Sequence, residues 1–139
     1  MKTMKIVLPV LLGLVLCSAA LPERADCRIK AEIFLAGIIE KEVDKSYDEL
    51  FSNSLIASKA QMVKLQKENT WTILNMYGEL LGYDFVKQQK YGDSLVRLVY
   101  VLKCEQVPVT WEFYFYKPVS DWTLVNIAFD TKYDLLSDK

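Results

Sequence analysis

Apolar residues change their spacing once along this chain. Up to about residue 80 they recur every three to four positions, as on one side of a helix. From Tyr83 onward they alternate, as in strands. The spacing predicts a helix from Asp26 to about Lys45, with Ile29, Ile33, Ala36 and Val43 on one stripe and Phe34, Ile38 and Ile39 widening it. Ser46-Tyr-Asp-Glu49 has the form of a capping box, so a short second helix is expected from Tyr47. Ser58-Lys-Ala-Gln61 is another and opens a long helix to about Leu80, with Met62, Leu65, Ile73 and Met76 on its stripe and Asn69 as one polar member. Gly82 is placed to cap that helix. In this reading helix one runs out, the short helix turns the chain, and helix three runs back antiparallel to the first.

Four strands are predicted at 83–91, 95–104, 108–116 and 122–129. They are separated by Gly92-Asp93, Glu105-Gln106 and Lys117-Pro-Val-Ser120. Closing each connection as tightly as its residues allow sets Phe85 opposite Tyr100, Tyr100 opposite Trp111, and Trp111 opposite Asn126. One face then carries Tyr83, Phe85, Val96, Leu98, Tyr100, Leu102, Val109, Trp111, Phe113, Phe115, Trp122 and Leu124. A slip of one residue would turn a strand over, so this agreement across three connections supports the register. The expected fold class is α+β, with three N-terminal helices packed on a curved four-stranded antiparallel meander sheet. The other face holds Arg97 and Glu112, diagonal neighbours, but also Val86, Val99, Val101, Tyr114, Tyr116, Val125, Ile127 and Phe129. So many apolar groups imply a cover: a second copy of the chain, or a bulge or the tail from Thr131 to Lys139 folding back.

The start of the chain reads as an address. Lys2 and Lys5 precede an apolar run from Ile6 to Val15, which is shorter than the ~20 residues a membrane span needs. Ser18-Ala19-Ala20 is the small-residue site of a signal peptidase. Residues 1–20 are therefore expected to be removed, leaving 21–139 as one periplasmic or secreted domain with no membrane attachment. Lipidation at Cys17 is the alternative, although Leu16 is larger than the residue that normally precedes a lipidated cysteine. An oxidising compartment favours pairing of the remaining Cys27 and Cys104. With helices one and three antiparallel, the start of helix one and the end of strand two fall at one corner, so a Cys27–Cys104 disulfide is expected. Two buried thiols are the alternative.

Charge and composition narrow the chemistry. The 139 residues carry 17 basic and 18 acidic side chains, and loss of Lys2 and Lys5 takes the net charge from −1 to −3. No clustered basic excess marks a nucleic-acid surface. The chain has no histidine, which excludes Ser-His-Asp and Cys-His catalysis and the HExxH zinc site. No metal or cofactor is implied. Glu40, Glu42 and Asp44 alternate with Lys41 and Lys45, the pattern of a solvated helix face.

Leu80-Leu-Gly-Tyr-Asp-Phe-Val86, Leu95-Val-Arg-Leu-Val-Tyr-Val101, Trp111-Glu-Phe-Tyr-Phe-Tyr-Lys-Pro118 and Asp121-Trp-Thr-Leu124, following three helices, resemble the nuclear transport factor 2-like superfamily with its cystatin-like fold, over about residues 26–130. The resemblance implies a cone between sheet and helices, often used as a pocket, and dimerisation through the outer sheet face. Enzymes of that superfamily place acidic residues, Tyr or His in the cone. Here Tyr100 is inward, but strands 95–116 carry no inward acid, so no catalytic residue carries over and an isomerase- or dehydratase-like activity ranks last. Phe85, Tyr100, Trp111 and Asn126 form one row and are the candidate ligand-binding residues, an aromatic floor with one phenol and one amide. The same residues also suit a filled core. The expected function is an exported non-enzymatic binding module for a small apolar ligand or a protein partner. The alternative is a structural homodimer with a filled core.

Overall fold

The computed structural model describes residues 24–136; the expected signal segment and Cys17 lie outside them. Three helices, α1 (Arg24–Ile39), α2 (Val43–Phe51) and α3 (Ala60–Met76), precede four strands. These are β1 (Leu80–Tyr91), β2 (Leu95–Cys104), β3 (Val109–Tyr116) and β4 (Thr123–Asp130). The strands form one antiparallel open sheet in the order β1-β2-β3-β4, so the fold is of the expected α+β class.

The helix boundaries differ from expectation for local reasons. α1 stops at Ile39 because Lys41 adopts a positive φ of 62°. The Glu42 N–H donates to Gly37 O at 2.9 Å and the Lys41 N–H to Ile38 O at 3.0 Å. This pair of bonds is a Schellman closure with lysine where glycine is usual. Ser46 is therefore inside α2, and its hydroxyl donates to Glu42 O at 2.7 Å instead of capping. Ser58 does not cap α3 either: it donates to Leu55 O. The serine that caps is Ser54, which accepts from Ile56 N–H ahead of a short 3-10 turn (Leu55–Ser58) and donates to Leu124 O. α3 ends at Met76, and the glycine that follows it in the left-handed region is Gly78 (φ 81°), not Gly82. Leu80 opens β1.

The buried faces of two helices are also not the expected ones. α1 buries Cys27, Ala31, Phe34, Leu35 and Ile38, and leaves Ile29 and Ile33 exposed. α3 buries Thr70 and Leu74 while Met62, Leu65 and Met76 face out. Both helices carry apolar residues on two sides, so spacing alone does not select the core side.

The predicted register holds throughout β2 and β3, with Tyr100 opposite Trp111. Between β1 and β2 the first two departures cancel, and a further shift between Leu80 and Gly82 sets Leu80 opposite Cys104. The turn is one residue longer, with Tyr91 opposite Leu95, and a bulge between Phe85 and Lys87 restores Phe85 opposite Tyr100. Between β3 and β4 they do not cancel. Tyr116 pairs with Thr123, and a register shift at Val125 then sets Tyr114 opposite Asn126 and Trp111 opposite Phe129. Ile127 thereby pairs with inward Phe113 and is buried, and Phe129 packs against the core. Both leave the outer face on which they were expected.

That outer face holds a buried ion pair. Arg97 Nε lies 2.6 Å from Glu112 Oε2. The second nitrogen Nη1 donates to Gln89 Oε1, and the Tyr114 hydroxyl donates to Glu112 at 3.2 Å. Burial works against the Arg97 charge, but the hydrogen bond and charge of Glu112 prevail and raise its pKa. Val99 and Thr110, beside this network, are fully buried.

The expected disulfide is not formed: Cys27 and Cys104 are both free and buried. The reason is helix direction. α2 is itself the return leg, since a three-residue turn joins it to α1 and Ser46 sits against Gly37. α3 therefore runs out again, in the same sense as α1. Its end, Tyr77, accepts from Gln106 N–H beyond Cys104. The start of α1 lies instead at the opposite end of the sheet, where Lys30 Nζ donates to Trp122 O at 3.4 Å. The β3–β4 loop and the β1–β2 turn share that end, as the bond from Lys117 N–H to Ser94 O shows. The two ends of β2 are about 30 Å apart at ~3.3 Å per residue.

Candidate functional site

Three of the four expected site residues meet. Phe85 and Tyr100 have ring centroids 5.3 Å apart, and Tyr100 and Trp111 face each other across the central strands. Asn126 does not join them. It is exposed on the other side of β4, and Phe129 takes its place with its ring 4.6 Å from Trp111. The single-residue shift at Val125 is the cause, because it reverses the side on which every later β4 residue points.

The centre of the cone is filled. Phe34 enters from α1 and lies 5.0 Å from Tyr47, 5.3 Å from Trp111 and 5.7 Å from Phe113, all edge-on. Tyr100, Trp111 and Phe113 have no exposed surface. Edge-to-face rings of this kind add about 0.5–1.5 kcal/mol per pair beyond their burial. Tyr100 is tied down by its polar end too. Its hydroxyl donates to Glu32 Oε1 at 3.1 Å, and Arg28 Nη2 donates to the same oxygen at 2.9 Å. The Arg28 guanidinium lies 4.0 Å over the Phe85 ring, a cation–π contact that covers the β1 side of the row. Burial, and then the Glu32 charge, push the Tyr100 phenol well above its ordinary pKa. It is held as a proton donor joining α1 to β2, with the geometry of a structural cross-link.

Space is found instead at the end of the cone where α1, the end of α2 and the start of β4 converge. A cavity of about 190 Å³ is lined there by Ile33, Phe34, Leu50, Phe115, Trp122 and Leu124, with Lys30 and Glu49 at its edge. Ser54, bonded to Leu124 O, holds the α2 side in place. Outside it a cleft of about 580 Å³ is bordered by Asp26, Lys30, Asn53 and Asp121. Lys30 spans the two, 2.9 Å from Asp26 and bonded to Trp122 O. On the other side of Ile33 a groove of about 370 Å³ runs between α1 and α2. Small-molecule pockets usually measure roughly 300–1,000 Å³. The apolar cavity is below that range and suits one side chain, while the larger spaces are open and polar at their borders.

Sequence reading missed Lys30, Ile33 as a surface residue, and Leu50 as members of this site. Phe115, Trp122 and Leu124 carried a signal as inward residues, and Phe34 as part of the helix-one stripe. Among the described residues, no group of three or more Cys, Asp or Glu is placed to hold a metal ion, and no helix is long and apolar enough to cross a membrane. No protein-family model matches the chain, and no curated protein or solved structure matches it significantly.

Proposed function

We propose that this chain is an exported, non-enzymatic binding module that engages a protein partner at the α1–α2 end of the cone. The observation that carries this reading is the filled interior. Phe34 packs edge-on against Trp111 and Phe113, and Tyr100 beside them is fully buried, which leaves the small apolar cavity around Ile33, Leu50 and Trp122 as the place for a ligand group. A pocket for one apolar side chain, bordered by charged and polar groups, has the anatomy of a protein–protein hot spot. The basic, apolar and small-residue segments of residues 1–20 support export to the periplasm or beyond, and the strand pattern supports a nuclear transport factor 2-like ancestry. Self-association through the outer sheet face is less well supported, because Ile127 and Phe129 point to the helices.

Site-specific photo-crosslinking in the native host tests the reading. A photoreactive residue at Leu50 is expected to give one protein adduct, and the same group at Lys90, on the far strand, none. Absence of an adduct from Leu50, together with a small molecule retained by the purified protein in native mass spectrometry, overturns it.

A further inference from the structure

One continuous groove runs along the α1–α2 pair. Ile33, Ala36, Gly37 and Ile39 border it from α1, Glu40 and Glu42 from the turn between the helices, Lys45, Ser46 and Glu49 from α2, and Tyr83 from β1. The helices touch at Gly37, where a Cβ would overlap Ser46 Oγ, so at this point the floor is built of small side chains, with Ile33 and Ala36 beside them. Ile33, Ser46 and Glu49 also border the 190 Å³ cavity, so groove and cavity are continuous. At 1.5 Å rise per residue the span from Lys30 to Glu40 is about 15 Å, or roughly three helical turns.

The walls are asymmetric in charge. Among the lining residues Glu40, Glu42 and Glu49 outnumber Lys45, which pairs with Glu42 at 3.1 Å and also feels Glu49; Lys41 lies in the turn between Glu40 and Glu42. Among the described residues Glu40 and Glu49 have no ion-pair partner within 4 Å. Lys30 at the cavity end is likewise engaged, by Asp26 at 2.9 Å. Ile33, 56% exposed at the centre of the floor, is one of the largest uncovered apolar residues of α1. Apolar floor, acidic walls and a side-chain-sized cavity at one end are complementary to one kind of occupant. We infer that the α1–α2 groove binds a basic amphipathic segment of a partner protein, with its apolar side on Ile33 and Ala36, its Lys or Arg residues at Glu40 and Glu49, and one apolar anchor in the cavity. This rests on the protein-partner reading and adds the partner's chemistry to it. Recognition is of the helix-in-groove type, read through anchors at i, i+3, i+4 and i+7.

Two capped 14-residue peptides with the same leucine positions, one otherwise lysine and one otherwise glutamate, are the probes. In amide-detected NMR at low salt the leucine–lysine peptide is expected to shift Ile33, Gly37, Ser46 and Glu49. It should bind at least tenfold tighter than its acidic counterpart, a difference that shrinks as salt screens the exposed carboxylates. Glu40→Lys with Glu49→Lys, both at exposed positions, should reverse the preference. Ile33→Ser should weaken both peptides while leaving the helical circular dichroism intact. Equal affinities for the two peptides, with shifts still at Ile33, overturn the basic-partner inference and leave the cavity reading standing. Shifts confined to the outer sheet face, or none at all, overturn both.

Discussion

Replacing Phe34 by alanine removes the ring that fills the cone. The side chain is 1% exposed and contacts Tyr47, Trp111 and Phe113. A buried phenylalanine hides at least ~150 Å². At about 25 cal/mol per Å², the atoms lost beyond Cβ represent roughly 3 kcal/mol of transfer free energy. The surrounding rings are held by β2, β3 and α2, so they close the gap only in part. A remaining void of ~40–80 Å³ adds about 1–2 kcal/mol at ~24 cal/mol per Å³. The expected loss is about 4 kcal/mol, inside the 3–5 kcal/mol seen for such changes. Urea unfolding followed by circular dichroism reads it as a fall in midpoint of ~2 M, for a slope near 2 kcal/mol/M. The variant should also gain a dry apolar cavity able to take up xenon, visible as shifts of the Tyr47, Trp111 and Phe113 ring resonances. A loss below about 1 kcal/mol with no xenon uptake would refute the claim that Phe34 fills the interior.

Other substitutions test the register and the buried groups. Asn126→Ala, on the exposed face, should change stability by less than ~0.5 kcal/mol, whereas Phe129→Ala should cost roughly 2–3 kcal/mol by denaturation; the reverse order would restore the unbulged register. Removing one partner of the buried Arg97–Glu112 pair, by Arg97→Met or Glu112→Leu, should cost about 3–5 kcal/mol, while the double replacement should recover most of it; additive losses in the cycle would show that the pair does not act as a unit. Cys27 and Cys104 should react with a thiol reagent only after unfolding, two equivalents together; a protected disulfide would contradict the helix directions described above. Burial pushes the Cys27 thiol up to about 12, so between about pH 9 and 12 the unfolded chain releases a proton that the folded one keeps. Stability should therefore fall as pH rises through that window, by up to ~1.4 kcal/mol per pH unit for one such group. Tyr47, raised mainly by burial, acts in the same direction. Urea midpoints that stay level from pH 8 to 11 would contradict it.

Much of the sheet was legible because alternation of bulky residues is a strong signal when one face is buried. Val96, Leu98, Tyr100 and Leu102 on β2 and Val109, Trp111, Phe113 and Phe115 on β3 all point inward as their parity requires. A bulge leaves a fainter mark. The step of three from Leu124 to Ile127, between two pairs spaced by two, is that mark in β4, and overlooking it put Asn126 in the cone. The helices were harder because Ile29 and Ile33 are as apolar as Phe34 and Leu35, so α1 offers two faces. Nor did residue type announce the turn at Lys41, since lysine has no special ease at positive φ. That turn makes α2 a return leg, and so it also decides where Cys27 lies. That Tyr100 and Trp111 meet at the centre of the site could be read from strand parity, but not that Phe34 fills the space over Trp111. The open end of the site could not be read, because the cavity forms where Ile33, Leu50 and Trp122 from three separate segments come together.

Methyl-detected NMR of the protein under xenon pressure tests the central claim, a closed interior with its apolar opening at the α1–α2 end. Xenon enters dry apolar cavities. The methyl groups of Ile33, Leu50 and Leu124, around the 190 Å³ cavity, should shift with pressure, and those of Leu98 and Leu102, buried on the inward face of β2, should not. Shifts at Leu98 and Leu102 in the unaltered protein would mean that the cone is hollow and would contradict the account.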